Sequence, residues 1–106
     1  MFIINGEVWR LSITSPFHPM LKRPDGSYAV GACDDYTKTI YMSDELYGPY
    51  FKEVLCHEIT HAAMFSYNIE LDYNTEEIFA NIISKYGQEI INITDKLFKD
   101  IQRGYR

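Results

Sequence analysis

The chain has 106 residues, 46% of them hydrophobic and 15% aromatic, with a formal net charge of −5. The apolar share is too high for a disordered segment, and the length suits a single domain, 1–106, which at this size buries roughly 60–70% of its unfolded surface around one modest core. The acidic balance argues against non-specific nucleic-acid binding, which needs a basic footprint, and two cysteines, Cys33 and Cys56, are too few for the disulfide framework of a small secreted domain.

The first residues, Met1-Phe2-Ile3-Ile4, are apolar but give way at once to Asn5-Gly6-Glu7 rather than to a cleavage region. No run is long enough to span a membrane, so the expected location is the cytoplasm, with no membrane partner. Asn5-Gly6 is a tight hairpin signal between two short strands within Phe2 to Ile13, and alternation from Val8 to Ile13 supports the second. Ser15-Pro16-Phe17-His18-Pro19 is a loop. Its lone His18 is more often structural than a ligand or an oxyanion donor. Arg23-Pro24-Asp25-Gly26 is a turn. Tyr28 to Cys33 and Thr39 to Met42 read as a strand pair joined by Asp34 to Lys38, and Ser43-Asp44-Glu45 reads as the start of a short helical turn.

Gly48-Pro49 then opens a helix that runs from Tyr50 to about Tyr67 without another Gly or Pro. Phe51, Leu55, Ile59 and Ala62 fall on one helical face, and Val54, His57, His61 and Phe65 on a neighbouring one. Within it stands Cys56-His57-Glu58-Ile59-Thr60-His61-Ala62, an H-E-x-x-H pattern. Helical residues four apart lie one turn above each other, so His57 and His61 point the same way and can share one metal ion. Zinc takes neutral imidazole at roughly 2.0–2.1 Å and completes about four ligands. Glu58 is angled off that face, suited to act on water rather than to hold the metal. The pattern is short and matches also arise as surface ion-pair clusters, but apolar neighbours flank this His pair. Cys56 points about 100° away from His57 and reads as a buried apolar cysteine.

Ser66 to Asn74 is a polar link, and Thr75 to Tyr86 is helical, with Ile78, Phe79, Ile82, Ile83 and Tyr86 as its apolar stripe. Gly87 is expected to break or weaken it before a helical pattern resumes from Gln88 to Arg103. A third metal ligand must come from this part of the chain. Glu77 and Asn81 share a face, so Glu77 can complete the zinc site while Asn81 holds a ligand imidazole by its other nitrogen. The competing reading makes Asn74 and Glu77 a helix-capping pair, which would leave Glu77 unavailable to a metal. The fold class is therefore α+β: a small N-terminal β-sheet, antiparallel or mixed, followed by the H-E-x-x-H helix and one or two further packed helices.

These residues carry a resemblance. Thr39-Ile40-Tyr41-Met42, then Val54 to Ala62, then Glu77-Ile78-Phe79-Ala80-Asn81 resemble the strand, H-E-x-x-H helix and glutamate-bearing helix of small gluzincin metallopeptidases, of the ImmA/IrrE and minigluzincin type found in phage and mobile elements. The resemblance spans roughly Ser27 to Tyr86 and implies a zincin-like fold with zinc as cofactor. Together with the shared face of Glu77 and Asn81, it selects Glu77 over Glu76 as the ligand; on a helix the two point about 100° apart, so only one is expected to face the His pair. It further implies that Thr39, Ile40, Tyr41 and Met42 offer an open strand edge to an extended protein or peptide substrate. The expected chemistry is metal-assisted peptide hydrolysis, with Glu58 as general base and then acid. No His follows His61, so the oxyanion donor is open among Tyr67, Tyr73 and Tyr86. Two other classes stay open: a zinc-stabilised module without turnover, and a phage-type regulatory or interaction protein that keeps the metallopeptidase form. Sequence says nothing of the oligomeric state.

Overall fold

The structure is a computed structural model and describes residues 1–104. It is α+β, with a four-stranded mixed sheet followed by two packed helices. The elements are β1 (Phe2–Ile4), β2 (Glu7–Thr14), a single 3-10 turn at Pro19–Leu21, β3 (Gly31–Asp34), β4 (Thr39–Ser43), α1 (Gly48–Ser66) and α2 (Tyr73–Gln102).

Asn5 and Gly6 both take positive φ, 48° and 78°, which is the geometry a two-residue hairpin turn requires. β1 and β2 pair antiparallel around them, with Phe2 opposite Trp9. β2 then runs parallel to β4, Leu11 opposite Ile40, while β3 and β4 form the antiparallel pair expected, Cys33 opposite Ile40. β3 starts at Gly31 rather than Tyr28, because the preceding residues bond to the 3-10 turn instead: Ala29 donates to the Leu21 carbonyl at 2.8 Å, and Tyr28 bridges Lys22. Ser43 to Leu46 closes a tight turn without entering a helix; the Ser43 hydroxyl accepts from the Glu45 N–H.

The strand order β1-β2-β4-β3 corrects the substrate reading of Thr39, Ile40, Tyr41 and Met42. β4 is hydrogen-bonded on both sides, and Thr39, Ile40 and Met42 are buried. Its backbone is consumed by β2 and β3, so no edge remains for a peptide. The edge strands are β1 and β3.

α1 lies across the sheet. Phe51, Val54, Leu55 and Ile59 pack against a buried cluster of Trp9, Ile40, Met42 and Ala62, the core that their spacing anticipates. Two long-range hydrogen bonds pin the far end of α1 to the hairpin: Trp9 Nε1 donates to Ser66 Oγ at 2.8 Å, and Asn5 Nδ2 donates to the Ser66 carbonyl at 2.9 Å. Asn68 in the left-handed region (φ 55°) ends the helix, with Ile69 N–H bonded to Met64 O and Asn68 N–H to Phe65 O, a Schellman closure. The chain then reverses into α2, which packs back along α1. α2 is one helix of 30 residues that passes through Gly87 without a break. A lone helical glycine costs only about 1 kcal/mol relative to alanine, too little to interrupt so long a run of helix formers.

Candidate metal centre

The centre forms where the middle of α1 meets the first turns of α2. On α1, His57 and His61 stack one turn apart, with Nε2 atoms 3.2 Å from each other. On α2, Glu77 reaches both: its Oε1 lies 2.8 Å from His61 Nε2, and its Oε2 lies 3.3 Å from His57 Nε2. Glu77 is free to do so because it caps nothing. The N-cap is Asp72, whose side chain accepts from Thr75 N–H at 2.7 Å, so the helix starts before Asn74 and the capping alternative fails.

His57, His61 and Glu77 together form a group able to hold a metal ion. Their separations allow a test of fit. Donors at about 2.0–2.1 Å from a tetrahedral centre lie about 3.3 Å from one another. The two imidazole nitrogens, 3.2 Å apart, match that edge length, and the Glu77 carboxylate straddles the site, with Oε2 3.3 Å from His57 Nε2 and Oε1 2.8 Å from His61 Nε2. Two nitrogens and one carboxylate oxygen suit zinc, and the side chains are only 13–31% exposed. The residues present fit the ion.

The place assigned to Asn81 is occupied by Glu76. Glu76 Oε2 lies 2.5 Å from His61 Nδ1, the ring nitrogen turned away from Glu77. Among the described residues, Asn81 makes no side-chain bond to either imidazole; it is exposed and lines the cleft farther along. The expectation that only one of the adjacent glutamates faces the His pair is therefore corrected. α2 crosses the imidazole of His61, and two flexible glutamate side chains starting about 100° apart close on opposite sides of the ring.

Glu58 is 8% exposed. Burial pushes its carboxyl up to about 7; His61 opposes the shift and Glu77 adds to it. It lines two cavities that flank the triad. One, of 280 Å3, also touches His57, Glu77, Asn81, Tyr50, Arg23 and Lys85. The other, of 240 Å3, also touches His61, Glu76, Glu77, Cys33, Asp35 and Tyr73. β3 approaches this floor closely through Gly31, where a Cβ would stand 2.8 Å from Val54 Cγ1 and 3.2 Å from Glu58 Cγ. Burial holds the Cys33 thiol well above its ordinary range, with Asp35 adding to the effect. A larger cavity of 730 Å3 lies away from this chemistry, between α1 and the middle of α2, and Cys56 lines it.

His18 stands outside the centre. Its Nδ1 accepts from Met20 N–H at 3.0 Å and its ring stacks on Tyr41. Of the tyrosines left open for an oxyanion, Tyr73 lines the cleft with Glu58. Tyr50, Arg23 and Lys85 were not singled out by sequence, and Glu76 was weighed only as the ligand that Glu77 displaces. Two of them carried a signal: Tyr50 lies two turns before His57, and Lys85 extends the Glu77–Asn81 row by one more turn.

No protein-family model matches the chain, and no curated protein or solved structure is found similar to it.

Proposed function

We propose that the chain is a zinc-dependent metallopeptidase that hydrolyses a peptide bond in a protein or peptide substrate, working in the cytoplasm, in line with its resemblance to small gluzincins. The observation that carries this reading is the position of Glu58: a buried carboxylate on the floor of a cleft, beside the His57–His61–Glu77 triad but not part of it. A site that only stabilises a fold has no use for such a group, and structural zinc sites are usually closed by cysteines.

His57, His61 and Glu77 hold the ion, and Glu76 fixes the orientation of the His61 ring through Nδ1. Zinc held there supplies Lewis acidity and water activation near neutral pH. Glu58 accepts a proton from the attacking water and delivers it to the departing amine. Tyr50 and Tyr73 each line one of the two cavities beside Glu58 and are the candidates for donating to a developing oxyanion. An extended substrate segment pairs along β3, the free edge beside the cleft, in place of β4. No helix among the described residues is long and apolar enough to cross a membrane.

The test compares zinc-loaded wild type with Glu58→Gln on a library of proteome-derived peptides, reading new amino termini by mass spectrometry. A general base contributes typically about 10²–10⁴-fold, so Glu58→Gln should keep zinc and melting temperature and lose cleavage by that factor. Equal cleavage by both proteins removes Glu58 from the mechanism. No cleavage by a wild type that carries zinc removes the peptidase reading.

A further inference from the structure

The 30-residue α2 is about 45 Å long, against about 28 Å for the 19 residues of α1. Its first half lies on α1, with Ala80 fully buried. Near Ile90 and Ile91 it draws level with Pro49 at the start of α1. The second half extends beyond, and the molecule is 56 Å in its longest dimension against 30 and 28 Å in the others.

That projecting helix is not polar. Phe79, Ile83, Tyr86, Ile90, Ile93 and Leu97 follow one another at alternating steps of four and three residues, and each is 41–55% exposed. This is the spacing of a seam between two helices. It runs unbroken from the part of α2 that has a partner into the part that has none. Along its first half the seam borders the 730 Å3 groove, whose floor is Cys56 and whose rim includes Pro49, Ile83, Gly87, Ile90 and Ile91.

We propose that this face binds a second copy of the chain, with the two α2 helices antiparallel. Three features select that occupant. The first is the charge pattern. In the position that flanks the seam on the side away from α1 stand Glu89 and, one heptad later, Lys96. Setting Ile90 of one copy against Ile93 of the other also sets Tyr86 against Leu97 and brings Glu89 beside Lys96, twice by symmetry. A parallel pairing faces the same charges with Thr94 and Ile101, which complement nothing. Lys96 is free to re-pair, since its present contact with Asp100 is a 3.6 Å exposed pair. The second feature is the groove: in this register the Leu97 and Phe98 end of one copy lies over the groove of the other, covering both exposed halves at once. The third is extent. The apolar side chains along the seam are each 41–55% exposed and follow one another over about 27 Å of helix, a continuous face for a second helix of the same length to cover.

Sedimentation equilibrium on the full chain at micromolar concentrations is expected to give twice the 12.4 kDa chain mass. Leu97→Asp should give a monomer with unchanged helical circular dichroism. Glu89→Lys and Lys96→Glu, both on exposed positions, should each weaken self-association about tenfold by setting like charges together. An equimolar mixture of the two should recover wild-type association, because the mixed pair has both contacts complementary. A wild type that stays monomeric overturns the proposal. A dimer indifferent to charge reversal, or a mixture that does not recover, overturns the antiparallel register. None of these readings depends on zinc or catalysis.

Discussion

Glu76 and Glu77 hold opposite nitrogens of one imidazole: Glu76 sits 2.5 Å from His61 Nδ1 and Glu77 2.8 Å from His61 Nε2. The ring is clamped between two adjacent carboxylates of α2, so its tilt is set before any ion arrives, and a proton held on Nδ1 by Glu76 leaves Nε2 as the nitrogen for the ion. Such carboxylate–imidazole pairs raise the basicity of the ligand nitrogen and reduce what must be ordered on binding.

Glu76→Ala should therefore weaken zinc binding by about 10–100-fold, the usual cost of losing a partner of a ligand histidine. Competition titration against a chromophoric chelator measures it. Glu76→Gln should fall between, since an amide still bonds the ring but lacks the charge. An affinity unchanged in Glu76→Ala would show that the contact does not orient the ligand.

Glu77→Ala, His57→Ala and His61→Ala each remove one of the three residues that would hold the ion, and elemental analysis should find about one zinc per chain in wild type and none in these variants. In wild type, free zinc at 100 times its dissociation constant adds about 2.7 kcal/mol of stability. For a chain of this size that amounts to a fall on the order of 10 °C in melting temperature when EDTA strips the ion. The three variants should show no such response to EDTA.

Gly31 is the closest approach of β3 to α1, and only a hydrogen fits there. Gly31→Ala places a methyl 2.8 Å from Val54 and 3.2 Å from Glu58. The strand or the helix must shift, at about 1–3 kcal/mol for an overpacked contact. Because the crowded atoms include the Glu58 stem, the proposed peptide cleavage should fall by more than the loss of folded protein explains. Parallel denaturation and peptide-cleavage measurements separate the two effects.

Ser66→Ala leaves Trp9 Nε1, inside a fully buried ring, without its acceptor. An unsatisfied buried donor costs about 1–3 kcal/mol, measurable as a lower urea midpoint. Ser66→Thr keeps the hydroxyl and should recover part of the loss. Zinc affinity should change little, since the bond lies at the C-terminal end of α1, more than one helical turn beyond His61.

The elements of the chain were legible wherever the signal is local. Asn5-Gly6 can only serve a tight hairpin, and Gly48-Pro49 opens α1 where the helical spacing begins. His57 and His61 share a face because any helix puts residues four apart in line, and apolar periodicity marked the core positions Phe51, Leu55, Ile59 and Ala62. What escaped is what the chain decides at a distance. Whether β4 keeps an open edge depends on which strands flank it, and the parallel pairing with β2 across the intervening 3-10 turn and β3 has no short-range signature. Glu76 and Asn81 exchanged places because the phase of α2 is set by its Asp72 cap and by the angle at which it crosses α1, neither of which helical spacing within α2 encodes. Two neighbouring glutamates can close on one ring only when that ring stands between them, and side-chain length, not backbone direction, then determines reach. Sequence thus determined which residues are able to bind, since ligand chemistry belongs to the residue type; tertiary structure alone decided which of them meet, since meeting depends on packing between elements far apart in the chain.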